Sequence, residues 1–238
     1  MISVLDSAEK GWGLYSFPEV AQYLHVPIKT LRSWFKPRGH KGPLLQGDIV
    51  KTIEEGSWLN FHDFIQAYAV KALKDAGVRP RDVREAISEA KEKYGLPYPL
   101  SIKGHTIYSD GHGVHILPPG QTQPSELTGK RKGQVSWTEI IKPYLTRLEF
   151  DEKGMANKFL VFEKDFGGGI HKRVTMQPDV NFGEPTVEGT GYRASTLRDA
   201  LVAEGSRESV VRFYEVDDYD VIVAVEAFKY APELKAAA

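Results

Sequence analysis

Five cations, Lys29, Arg32, Lys36, Arg38 and Lys41, lie between His25 and Leu45, and no carboxylate lies among them. Guanidinium and ammonium groups gathered this way suit a polyanion: arginine matches guanine edges and phosphate oxygens with paired hydrogen bonds. Thr30 and Ser33, on the same stretch, can add contacts to a nucleic-acid backbone. Because the whole chain carries a net charge of only −1, such a spot marks a local contact rather than a general affinity for acids. Lys29, Thr30, Arg32, Ser33, Lys36, Arg38 and Lys41 are therefore the candidate DNA-binding residues. The segment 37–43, with Arg38, His40 and Lys41, reads equally as a wing on a flanking minor groove or as an irregular basic loop. A second basic cluster, Gly129-Lys130-Arg131-Lys132-Gly133, reads as a solvated linker ahead of a phosphate contact.

Other chemistry is thinly represented. His105, His112 and His115 could meet across a hairpin, but no carboxylate stands in a recognised ligand spacing beside them. Asp217 falls in helix-capping register, so Asp217, Asp218 and Asp220 read as structural, with no twelve-residue calcium loop after them. Gly167 to Gly169 lack the Lys-Ser/Thr sequel of a phosphate loop, and no nucleophile elbow occurs. The absence of cysteine excludes disulfides, thiolate metal sites and cysteine nucleophiles. Neither catalysis nor a cofactor is expected.

The cationic stretch needs a scaffold, and the flanking residues supply one. Ser16-Phe17-Pro18-Glu19 is a capping box with proline in the first turn. It opens a helix over 17–24 whose apolar positions Phe17, Val20, Ala21 and Leu24 share one face. After a two-residue joint, Pro27 restarts a helix through Phe35, with Ile28, Leu31, Trp34 and Phe35 inward and the cations outward. Two short helices with a short joint and a cationic outer face on the second form a helix-turn-helix pattern. Beyond a glycine-rich stretch, helices are predicted over 61–76, closed by Gly77, and over 79–94. Strands follow at 102–108 and 114–117 around Asp110-Gly111.

Residues 118–133 have linker composition. Past them, a helix is predicted over 137–145 capped by Ser136, then strands at 148–150, 159–162 and near Val174, then helices over 195–204, 207–214 and 219–230. The charge changes too. Residues 1–100 carry 14 basic against 12 acidic side chains, residues 101–174 carry 11 against 8, and the last 64 residues carry 6 against 12. The expected architecture is α+β and mainly helical, with two helix-turn-helix-like domains and small β-hairpins. A DNA-binding domain with a helical extension and hairpin spans 1–118, a linker 119–133 and an acidic interaction domain 134–238. No apolar run approaches the ~20 residues of a membrane helix and the first twelve residues do not resemble an export signal, so the chain reads as cytoplasmic.

Tyr15-Ser16-Phe17-Pro18-Glu19-Val20-Ala21-Gln22-Tyr23-Leu24, followed by Val26-Pro27 and Leu31-Arg32-Ser33-Trp34, resembles the first two helices of MerR-like DNA-binding domains. Leu59 to Phe64, Ala72 to Val78, Val83-Arg84 and Pro97-Tyr98-Pro99-Leu100 resemble the middle of the larger VapB-type antitoxins. Pro178, Phe182 to Thr190 and Val221 to Tyr230 are similar to a C-terminal domain found in such antitoxins; here Gly191-Tyr192 intervene before Arg193, where that family runs from Gly-Thr directly to arginine. The resemblance implies a type II antitoxin that binds its own operator DNA as an autorepressor and neutralises a PIN-domain VapC ribonuclease toxin. Because operators are usually two-fold, it implies a homodimer as well. The alternative is a stand-alone MerR-like transcriptional regulator with a C-terminal sensor domain.

Overall fold

The first two helices are each opened by a local hydrogen-bonding device. In the computed structural model, which describes residues 14–37, 42–45, 50–51, 57–96, 98–109, 114–120, 135–136 and 142–230, strand β1 (Leu14–Ser16) runs directly into helix α1 (Phe17–Tyr23). Both halves of the capping box form. The Glu19 amide donates to Ser16 Oγ at 3.4 Å, and the Ser16 amide donates to Glu19 Oε2 at 2.7 Å. His25 takes a positive φ of 51° and ends the turn. Pro27, extended, then accepts the Thr30 and Leu31 amides and opens α2 (Ile28–Trp34).

The fold is α+β and mainly helical, with small antiparallel sheets, as expected from the sequence. It divides into two compact units that interleave along the chain: one takes Met1–His25, Val50–Phe61 and Lys158–Ala238, the other Val26–Ile49 and His62–Asn157.

In the first unit β3 (Ser57–Asn60) pairs with β1 and with β2 (Val50–Lys51). The larger part consists of β8 (Ala156–Asp165, belonging here from Lys158), β9 (His171–Met176) and β10 (Thr186–Val187), in antiparallel register. Gly167 to Gly169, all at positive φ, make the turn between β8 and β9. Three helices follow, α5 (Ala194–Glu204), α6 (Arg207–Tyr214) and α7 (Asp218–Tyr230). Val174 and Val187 from the sheet and Leu197, Val210, Val221 and Ala224 from the helices form one core. The Asp217 amide donates to Asp220 Oδ2 at 3.1 Å and the Asp220 amide to Asp217 Oδ1 at 2.8 Å, a reciprocal cap that starts α7. Tyr15 ties the ends of this unit together: its hydroxyl donates to Gly183 O at 3.0 Å across 168 positions of sequence.

In the second unit, α3 (Phe61–Asp75, in this unit from His62) is buried nearly all round from 61 to 73, Asp63 and Gln66 included. Its sequence shows a one-sided stripe; the helix is instead a central one, enclosed on several faces at once. Gly77, at φ 92°, closes it, and α4 (Pro80–Tyr94) follows. Helix α4 packs on the hairpin of β4 (Thr106–Ser109) and β5 (Val114–Leu117). Ser136 lies in β6 (Val135–Ser136) opposite Tyr108. Of the helix predicted over 137–145, residues 142–145 are helical and 137–141 lie outside the described residues. Strand β7 (Leu148–Phe150) closes this unit ahead of the turn at Asp151.

Candidate functional site

Helix α2 owes its orientation to Leu31, fully buried, and Trp34, 4% exposed, with Phe35 buried just beyond its end. Trp34 O also accepts the Leu45 amide at 2.8 Å, which fixes the segment 42–45 to the same helix end. The opposite side faces solvent. Lys29, Arg32 and Lys36 are exposed and Thr30 and Ser33 are half-buried. Lys29, Arg32, Ser33 and Lys36 together border a shallow hollow of about 320 Å³. No acidic residue stands in the first turn. The Ser33 hydroxyl donates to Thr30 O at 2.6 Å, so its proton is already used within the helix and only its oxygen is left to accept. Arg38 and Lys41 lie outside the described residues.

A second hollow, of about 370 Å³, adjoins the first and shares Lys29 and Ser33 with it. It adds Lys74 from α3 and Arg84 from α4, with apolar lining from Trp34, Leu44 and Pro80. Lys74 Nζ stands 5.1 Å from the Trp34 ring centroid, a cation–π contact. The cationic surface therefore extends well beyond α2. Lys74 and Arg84 are not among the residues singled out from the sequence, where they look like ordinary helix-surface cations. The only local signal is that neither has an acid four positions after it, since Val78 and Ser88 stand there.

No protein-family model matches the chain. A Mycobacterium tuberculosis protein named "Putative antitoxin VapB45" is 26% identical to it over 224 residues, covering 87% of this chain and 88% of that protein. Over most of its length, then, the chain is similar to an antitoxin. The fold is also that of a solved structure: the crystal structure of Rv2018 from Mycobacterium tuberculosis superposes with a TM-score of 0.60 at 21% identity, covering 89% of this chain and 96% of the other.

The remaining sequence candidates do not come together as a reactive cluster among the described residues. His105 is buried, with Nδ1 2.5 Å from Ile102 O; burial lowers its pKa, against a smaller opposing effect of that hydrogen bond. His115 Nδ1 instead meets Glu89 Oε2 of α4 at 2.9 Å, and its ring stacks on Tyr108. His112 lies outside the described residues. Asp217 is held by Lys172, which also stands 2.9 Å from Asp220 Oδ1. No helix among the described residues is long and apolar enough to cross a membrane.

Proposed function

We propose that this protein is the antitoxin of a type II toxin–antitoxin pair, a binding protein rather than an enzyme. In this reading it represses its own operon through the cationic edge of α2 and neutralises a PIN-domain VapC ribonuclease in the cytoplasm. The similarity to an antitoxin over nearly the full length of both chains carries this reading. The open, acid-free edge formed by Lys29, Arg32 and Lys36 supports its DNA-binding half, with Thr30 and Ser33 as lesser contacts and Arg38 and Lys41 as an extension toward the flanking groove.

Toxin docking is assigned to the acidic C-terminal part. Phe213 on α6 is 62% exposed and Val202 on α5 80% exposed, large apolar groups in a region of net negative charge. Exposed apolar anchors within an acidic field suit a partner that itself binds RNA. A homodimer on a two-fold operator completes the proposal.

Two measurements test it. Expressed with the gene beside it, the full chain should co-purify with a PIN-domain protein and suppress its ribonuclease activity. The full chain should also retard its own promoter fragment in a gel shift at nanomolar to micromolar concentration. A neighbouring gene of another kind, together with an intact gel shift, would make the chain a stand-alone regulator.

A further inference from the structure

The second hollow differs from the rest of the helical surface around it in how its cations are partnered. Around α3 and α4, four other cations are matched with carboxylates: Lys71 with Asp75 at 2.5 Å, Arg79 with Asp82 at 2.7 Å, Arg81 with Glu85 at 3.7 Å and Lys93 with Glu89 at 3.9 Å. Lys74 and Arg84 stand on the same two helices, and among the described residues neither has an acidic partner. Lys29, across the hollow on α2, has none there either. Arg84 Nε is moreover shielded from solvent without a hydrogen-bond partner. Shielding a charged donor from water without an acceptor is unfavourable, so a site that does so is arranged for an acceptor that arrives from outside.

The acceptor's chemistry follows from the lining. Three cations from three helices converge with no acid among them, which selects an anion of more than one charge. A guanidinium beside two ammonium groups is the donor set that phosphate oxygens satisfy best. The apolar lining of Trp34, Leu44 and Pro80, and a volume of about 370 Å³, leave room for an organic group attached to that phosphate.

We propose that this hollow is a phosphate-binding site, built from Lys29, Lys74 and Arg84, for a phosphate that carries an organic substituent. The phosphate comes either from the strand of a bound duplex or from a free phosphorylated small molecule. Only the first source rests on the DNA-binding reading above.

The experiment uses the full chain and two probes. Inorganic phosphate is titrated at constant ionic strength against chloride, following the indole N–H resonance of Trp34, identified by its loss in Trp34→Phe. In parallel, the affinity for the promoter duplex is measured as a function of salt. Phosphate should move the Trp34 resonance in the wild type and in Arg32→Ala, and fail to move it in the double variant Lys74→Gln/Arg84→Gln. If the duplex supplies the phosphate, the slope of log affinity against log salt falls in that double variant by roughly 1.8, the release of two counterion equivalents. If a small molecule supplies it, the slope is unchanged while the phosphate response still disappears.

A wild-type Trp34 resonance indifferent to phosphate, or a response that survives in the double variant, overturns the proposal. Should the double variant unfold, Arg84→Lys decides instead: it keeps the charge but loses the fork, so phosphate should bind several-fold more weakly, and an undiminished response refutes the site. Failure of the wild type to bind any duplex defeats the DNA reading without touching the phosphate titration.

Discussion

The cations of the C-terminal region and those around α2 are put to opposite uses. In the C-terminal region Lys158 and Arg173 meet Glu188, Lys164 meets Glu226, Lys172 meets Asp217 and Asp220, Arg193 meets Glu184 and Arg207 meets Asp218. These pairs tie strand to helix and helix to helix within one acidic region, and they neutralise each other. Around α2 the charges lie open and gather at two hollows without acids. Since exposed ion pairs contribute only about 0–1 kcal/mol each, the C-terminal pairs are fine adjustments to a fold held by its core. The cations that line the hollows have no carboxylate among the lining residues to offset their mutual repulsion.

The largest effect is expected from a lesion in the core of the C-terminal region. Leu197 is fully buried among Val174, Val210, Val221 and Ala224, so Leu197→Ala should cost about 2–5 kcal/mol, read as a fall in denaturation midpoint. Toxin neutralisation should fall with it. Next in size is Arg32→Ala, which should cost on the order of 1–3 kcal/mol of operator affinity while moving the thermal midpoint by less than a degree or two. An unchanged gel shift would remove Arg32 from the interface, and a large loss of stability would make it structural.

Acid should separate the two regions. Burial lowers the pKa of His62, against a smaller raising effect of Asp151, and burial also lowers that of His105. A histidine whose folded pKa lies below its unfolded value of about 6.5 gives stability that is complete above that pH and lost as pH falls through it. Asp217 is affected first by burial, which raises its pKa, but the hydrogen bonds from Lys172 and the Asp220 amide outweigh this and hold it low. Its stabilisation is present above the unfolded carboxylate value of about 4 and lost as pH falls below it. Hydrogen exchange between pH 7 and 4 should therefore find the amides around His62 and His105 opening first, with α7 protected until the lower pH. Simultaneous opening would contradict the separation.

The smallest effect belongs to Arg207→Ala. Both partners of the Arg207–Asp218 pair are about half exposed, so its loss should change stability by at most a few tenths of a kcal/mol in urea denaturation. A change above 1 kcal/mol would mean that the C-terminal pairs carry more of the fold than this comparison allows.

Much of the local structure was legible because it depends on neighbours in sequence. Ser16 and Glu19 form their reciprocal cap, Gly77 ends its helix at positive φ, and Asp217 caps α7. The exposed edge of α2 follows from the spacing of Leu31 and Trp34 against Lys29, Arg32 and Lys36. The pairing of Val135 and Ser136 with β4 was illegible, because it joins segments far apart in sequence. The all-round burial of α3 was also illegible, since a stripe of large apolar residues says which face is buried first and nothing of what encloses the others.

What the amino-acid order determined by itself is thus most of the helices, the caps of α1 and α7 and the outward side of α2, fixed by contacts within about four residues, whereas strands β1, β2, β3 and β6 depend on distant partners and were not legible. The tertiary structure decided which cations gather. Asp82, Glu85 and Glu89 meet Arg79, Arg81 and Lys93 by three- and four-residue spacing, but only the packing of distant segments brings Arg84 to share a hollow with Lys74 and Lys29. It also decided that Tyr15 closes on Gly183. Pairings of this kind depend on which chain segments meet, and that is set by the burial of apolar surface across the whole fold rather than by spacing along the chain.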